Sequence, residues 1–195
     1  MSPRASRALA PVAPRPEPVP RSDRVNDIVA AARRLVENEG ADALTMRRLG
    51  QELGIKAPSL YKHLPSREAV AAHLVDELLF ESGDLLHAAV RSGDPVARLL
   101  TAYREYGLSH PNLYRLVTAR GLPRSALTDG LEDWAGEPFH RAVGEPYRAQ
   151  ALWAFAHGAL ILELDERFVP GSDLDRMWRA GTLAFTSRRP GTAHT

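Results

Sequence analysis

Through most of this chain apolar side chains recur three and four residues apart, the spacing that lines one face of a helix. Val25, Ile28, Val29, Ala32, Leu35 and Val36 predict a first helix from about Ser22 to Glu39, ended by Gly40. Met46, Leu49 and Leu53 then give a short second helix with Thr45 as its N-cap. Gly54 follows where that helix must stop in a left-handed conformation, and Ile55 closes the corner. Pro58, whose φ is already helical, opens a third helix on which Leu60 and Leu64 face inward. Ser59, Tyr61, Lys62 and His63 are left facing outward. Two short helices around a glycine turn, packed on the first, predict a small three-helix head built to lay its third helix on DNA.

Ser66 caps a long helix to about Arg91, with Val70, Leu74, Leu78 and Leu85 as its inner stripe. At 1.5 Å per residue this is a rod of roughly 37 Å, long enough to start beside the DNA contact and end deep in a second domain. After the break at Ser92-Gly93-Asp94-Pro95, one helix to about Ser109 carries Leu99, Leu100, Tyr103 and Tyr106. A shorter one from His110-Pro111 carries Leu113, Tyr114 and Leu116, and a helix within 125–143 holds Leu131, Trp134 and Phe139. From Pro146 to Phe168 the pattern changes, because the segment is apolar nearly all round and needs partners on more than one side. A last helix places Leu174, Met177, Trp178, Gly181 and Phe185 in step, with Ala180, Gly181 and Ala184 small enough for close approach. One protomer has too few helices to cover both of these. The expectation is a homodimer whose interface is a four-helix bundle, made from Trp153, Leu160, Ile161, Leu164, Met177, Trp178, Gly181 and Phe185.

The fold class is therefore all-α: a helix-turn-helix domain over residues 23–70, then a larger helical domain over 71–188. Residues 1–22 are rich in proline, alanine and arginine with hardly any bulky apolar side chain, which predicts a disordered tail. A basic arm reaching for the minor groove is the alternative for them. A second disordered tail is expected over 189–195.

Composition narrows the chemistry. The 195 residues carry a formal net charge of +1, so no global field draws in nucleic acid and any electrostatic footprint is local. The chain's two lysines, Lys56 and Lys62, both fall in the head, near Arg47, Arg48 and Arg67. With no cysteine, disulfides, thiolate catalysis and cysteine-based zinc sites are excluded. The seven histidines show no metal-site spacing, and neither a phosphate loop nor a nucleophile elbow occurs. No catalytic residue, metal or cofactor is expected, and an enzyme is not. With no apolar run of membrane-span length and no secretory signal, a cytoplasmic protein is expected.

Residues 24–70 resemble the DNA-binding domain of the TetR family of bacterial repressors, in the order ENEGADALTMRRLGQELG then APSLYKHLPSREAV. The resemblance implies that Tyr61 and Arg67 hold phosphates and that Thr45 caps the second helix while reaching the backbone. It implies that Arg47 reaches a base edge and that Ala57 and Pro58 touch bases, Ala57 through a methyl alone. Further on, WAFAHGALILELDERF resembles the C-terminal domain type named for its Trp–His–Gly signature, here Trp153, His157 and Gly158. The dimer is implied by the same family.

The DNA-facing set is thus Thr45, Met46, Arg47, Lys56, Ala57, Pro58, Ser59, Tyr61, Lys62, His63 and Arg67. For an effector pocket in the body the candidates are Tyr103, Tyr106, His110, Trp134, Phe139, Trp153 and His157, although aromatics at helical spacing also serve as plain core. The expected protein is a dimeric repressor that binds a palindromic operator on double-stranded DNA and is released by a small-molecule effector. A helical module whose helix-turn-helix contacts a protein instead of DNA is the other reading.

Overall fold

A computed structural model describes residues 14–91, 93–118 and 124–186. Nine α-helices run through them: α1 (Asp23–Glu39), α2 (Met46–Glu52), α3 (Ala57–Leu60), α4 (Arg67–Ala89), α5 (Pro95–Ser109), α6 (Pro111–Thr118), α7 (Leu131–Val143), α8 (Pro146–Leu164) and α9 (Leu174–Thr186). Short 3-10 turns at Ala41–Ala43 and Arg124–Ala126 complete the regular structure. No strand occurs among the described residues, so the all-α class holds.

Helix starts follow the caps that the sequence supplies. Ser22 Oγ accepts the Val25 N–H and Ser66 Oγ the Ala69 N–H, while Asp94 accepts from both Val96 and Ala97. Gly54 has φ +66°, which a Cβ would oppose, and lets Ile55 N–H return to the Gly50 carbonyl at 2.9 Å. Regular α3 ends at Leu60, yet Leu64 N–H still reaches the Leu60 carbonyl at 3.0 Å, so Tyr61 and Lys62 ride on one further turn.

Head and body are not separate cores. Ile28, Leu35, Leu49 and Leu60 from the head pack in one cluster with Val70, Leu74 and Leu78 of α4 and with Leu113 and Leu116 of α6. A second cluster fills the body between α5, α7, α8 and α9, around Leu99, Phe139, Leu152, Leu160 and Trp178. At Gly107 the lack of a side chain admits Leu160 against the α5 backbone, since a Cβ there would overlap its methyl.

Residues 14–22 do not trail free as expected. Arg15 bonds both carboxylate oxygens of Asp84 at 2.9 Å and lies over the rings of Phe80 and Trp134. Arg21 reaches Glu77 at 2.6 Å. Charge, not apolar area, holds this stretch: Glu77, Glu81 and Asp84 form an acidic row along α4, met by Arg21, Arg33 and Arg15 in turn. Of the two expected tails, residues 1–13 and 189–195 lie outside the described residues.

Candidate nucleic-acid interface and effector cavity

On the head, Leu60 and Leu64 are buried and anchor α3, which turns the residues between and around them outward. Tyr61 is 52% exposed. Lys62, His63, Pro58 and Lys56 are exposed beside it, as are Thr45 and Arg47 at the start of α2. Thr45 Oγ1 accepts the Arg48 N–H at 3.1 Å, so it does cap α2. Arg48 is spent on Glu39 and Glu52. Among the described residues Arg47, Lys56 and Lys62 have no ion-pair partner, which leaves three cations free to meet phosphate.

Four of the expected contact residues stand differently. Met46 is buried in the head core, because the first apolar position of α2 must face α1 to close the cluster. Ala57 and Ser59 are partly buried. Arg67 donates to the carbonyls of Leu44 at 2.7 Å and Ala41 at 3.1 Å, which ties the start of α4 to the 3-10 turn before α2. It is a clamp within the head, committed to backbone rather than presented to a ligand.

In the body, α4, α5, α6, α7 and α8 enclose a cavity of about 510 Å³. Tyr103, Tyr106, Phe139, Trp153 and His157 line it, joined by Tyr114, Thr118, Glu132 and an apolar wall that includes Val75, Leu78 and Leu86. The Tyr103 and Tyr114 hydroxyls lie 2.7 Å apart, and the Tyr114 hydroxyl lies 2.7 Å from His157 Nδ1. Burial pushes the Tyr103 phenol up to about 12 and the phenols of Tyr106 and Tyr114 higher still. Burial pushes His157 down, so near neutral pH this polar end holds no charge of its own while offering both donors and acceptors.

Two expected lining residues are elsewhere. Trp134 lies against Gly83 of α4 and stacks on His87 with ring centroids 4.8 Å apart, filling the α4–α7 contact. His110 caps the end of α5 and sits 3.3 Å from Glu37 of α1, at the joint with the head. Tyr114 lies outside the expected set. Its place three residues after Pro111 gave no hint that α6 would turn this one phenol towards Tyr103 on α5.

The expected dimer residues also divide. Leu160 is 0% exposed, packed at Gly107. Trp178 is buried and its indole N–H donates to Glu163 at 2.7 Å, while Gly181 receives the ring of Phe155 from α8. These three belong to the α5–α8–α9 contact inside one protomer. Ile161, Leu164, Met177 and Phe185 pack partly against the same core. What α8 and α9 expose instead is a strip of Tyr147, Ala151, Ala154 and Leu162 beside Ala180, Leu183 and Ala184, with Tyr147 at 73% and Leu183 at 66% exposure. Trp153, 52% exposed, stands at the edge of the cavity.

Among the described residues no helix is long and apolar enough to cross a membrane, and no cluster of potential ligands could hold a metal ion. A helix-turn-helix head with a polar outer face, fused through one long helix to a hollow helical body, is the build of a transcriptional regulator. Comparison with known proteins gives the family. Residues 28–74 match the tetR family of bacterial regulatory proteins, and residues 96–185 match the tetracyclin repressor-like C-terminal domain. The helix-turn-helix-type regulator Rv0681 of Mycobacterium tuberculosis is 32% identical over 179 residues, 83% of this chain and 78% of its own. The class A tetracycline repressor from transposon 1721, of Escherichia coli, is 33% identical over 169 residues, 81% of this chain and 72% of its own. This chain belongs to the TetR family of transcriptional regulators, whose members bind DNA. In fold it is similar to the regulatory protein SCO4313, with TM-score 0.68 at 23% identity over 86% of this chain and 99% of that one. It is similar also to BioQ solved with its double-stranded DNA operator, with TM-score 0.56 at 22% identity over 83% of this chain and 94% of that one.

Proposed function

We propose that this protein is a cytoplasmic repressor that binds a palindromic operator as a homodimer and leaves it when a small molecule fills the body cavity. The observation that carries the DNA half is the outer face of α3 and its following turn. Tyr61, Lys62 and His63 point to solvent over buried Leu60 and Leu64, and among the described residues nothing covers them. Tyr61 and Lys62 would hold phosphates while Arg47 and Pro58 approach base edges. BioQ, of similar fold, is bound to duplex DNA in its own structure.

The partner half rests on the strip from Tyr147 to Leu162 on α8 and from Ala180 to Ala184 on α9. Apolar side chains of this size rarely stand in water on two neighbouring helices, and small residues between them allow a second pair of helices to close in. Two heads so joined would sit about 34 Å apart, one turn of the duplex, for entry into successive major grooves. The effector half rests on the cavity, of a size that encloses a drug-like molecule. An effector releases the operator only by binding better to the dimer whose heads miss that spacing, by a few kcal/mol.

Selection of bound sites from random duplex DNA tests the reading. It should recover an inverted repeat, with binding lowered by salt and lost in Lys62→Ala. No enriched repeat at low salt, or a repeat bound equally well without Lys62, would leave the alternative of a protein-docking head.

A further inference from the structure

The phenols on the cavity wall divide between two hydrogen-bonding networks, and one of these leads out of the body. Tyr103, Tyr114 and His157 bond to one another. Tyr106 does not join them. Its hydroxyl donates to Glu81 Oε2 at 2.9 Å, and the same oxygen accepts Arg33 Nη2, also at 2.9 Å. Arg33 belongs to α1 of the head and grips Glu81 through both carboxylate oxygens. Tyr106 thus shares one oxygen with the guanidinium that ties the head to α4. Its ring meets the cavity on one side and packs on the head core on the other.

We propose that Tyr106, Glu81 and Arg33 form the relay by which an occupant of the cavity changes the seating of the head on α4. This rests on the reading of the cavity as an effector site. An occupant that pushes or rotates the Tyr106 ring takes the hydroxyl from Glu81 Oε2. The guanidinium then holds a carboxylate with one donor fewer and can re-aim on it, which tilts α1 on α4. Glu81 is suited to this. Burial works against its charge, yet the bonds from Arg33 and Tyr106 outweigh that and hold its carboxyl below the ordinary range. Arg33 also bonds Glu37 at 3.3 Å, and His110, in ring contact with Tyr106, faces the same Glu37 oxygen at 3.3 Å. A shift of Tyr106 therefore reaches α1 at two of its carboxylate contacts.

The relay is tested in the full-length protein with N-phenyl-naphthylamine, an uncharged fluorescent aromatic probe, titrated with and without the duplex recovered by selection. The quantity read is the ratio of the two probe dissociation constants. In the wild type the duplex should weaken probe binding about 5-fold or more, the low end of coupling between linked sites. Tyr106→Phe keeps the ring and the packing and removes only the hydroxyl, as an occupant would take it from Glu81; its ratio should fall to about 1 and its duplex affinity by about 5-fold or more, the coupling read in the wild type. Arg33→Gln should lower the ratio in the same way from the head side. Tyr103→Phe, which removes a hydroxyl from the network that stays in the body, should keep the wild-type ratio whatever it does to probe affinity. A wild-type ratio in Tyr106→Phe overturns the relay and leaves the repressor reading standing. So does a wild-type ratio of 1 in a protein that binds both probe and duplex. Failure of the wild type to bind the duplex, or to take up the probe, removes the repressor reading and the relay with it.

Discussion

Gly50 fixes how closely α2 and α3 cross. A Cβ at this position would lie 2.8 Å from the Ile55 carbonyl oxygen and 3.3 Å from the Ala57 nitrogen. Both are backbone atoms of the turn that aims α3, so no rotamer change can relieve the contact. Two opposite effects follow from Gly50→Ala. Alanine in a helix interior is favoured over glycine by about 0.5–1 kcal/mol. Forcing a methyl into a filled crossing costs about 1–3 kcal/mol, and a rigid neighbour places this case away from the low end. The net expectation is a loss of about 1–2 kcal/mol. At about 2–4 °C per kcal/mol for a chain of this size, Tm should fall by roughly 2–8 °C. Gly136→Ala in α7 is the control, since no atom lies within 4 Å of the added methyl. That variant should gain about 0.5–1 kcal/mol. Thermal unfolding at fixed protein concentration reads both, and duplex binding should weaken in Gly50→Ala as α3 is pushed away from α2. If Gly50→Ala proves as stable as the wild type and binds duplex equally well, the crossing is not set by this contact.

Lys62→Ala should lower the slope of log affinity against log salt by about 1, whereas Arg67→Ala should leave the slope unchanged and destabilise the head by about 1.5–3 kcal/mol through the loss of charged donors to two carbonyls. Leu160→Ala should cost about 2–5 kcal/mol in urea unfolding as a core truncation, while Leu183→Asp should leave the protomer folded and shift sedimentation towards a single chain. A Leu160→Ala protein of wild-type stability that dissociates would return Leu160 to the subunit interface. The Glu81 carboxyl is held below its unfolded value, so its contribution is whole above the ordinary carboxylate range and is lost as pH falls through the lowered folded value. Glu81→Gln should therefore be less stable than the wild type at neutral pH, with the gap closing in acid; a gap that is constant with pH would refute this.

How much was legible in the sequence depended on whether an element had one face or two. α1 and α2 carry a single apolar stripe and a side-chain cap, so their limits and inward residues could be read from spacing, whereas α4 is buried on several sides and Leu85, expected on its inner stripe, is 48% exposed. The head's outer face followed by subtraction. α8 is apolar around its whole circumference, and periodicity could not say which side met α5 and α9 and which met a partner. Leu160 and Trp178 were accordingly placed on the outside, whereas Tyr147 and Leu183 took that position. Five of seven expected cavity residues line the cavity. Trp134 was lost to the α4–α7 contact because an aromatic ring on a helix does not announce its neighbour, here Gly83 on another element. Residues 14–22 depart from the expected tail for a different reason. Composition measures the area a segment can bury and is blind to a row of carboxylates waiting some sixty residues further on.

That row has a consequence for anyone dissecting the protein. Arg15, Arg21 and Arg33 all precede α4 in the chain and meet their long-range acids, Asp84, Glu77 and Glu81, on it, Arg33 keeping Glu37 of its own helix besides. A fragment ending before Glu77 would keep these guanidiniums and lack their counter-charges. It would cling to any polyanion offered, and its grip on DNA would say little about which sequence the intact molecule chooses.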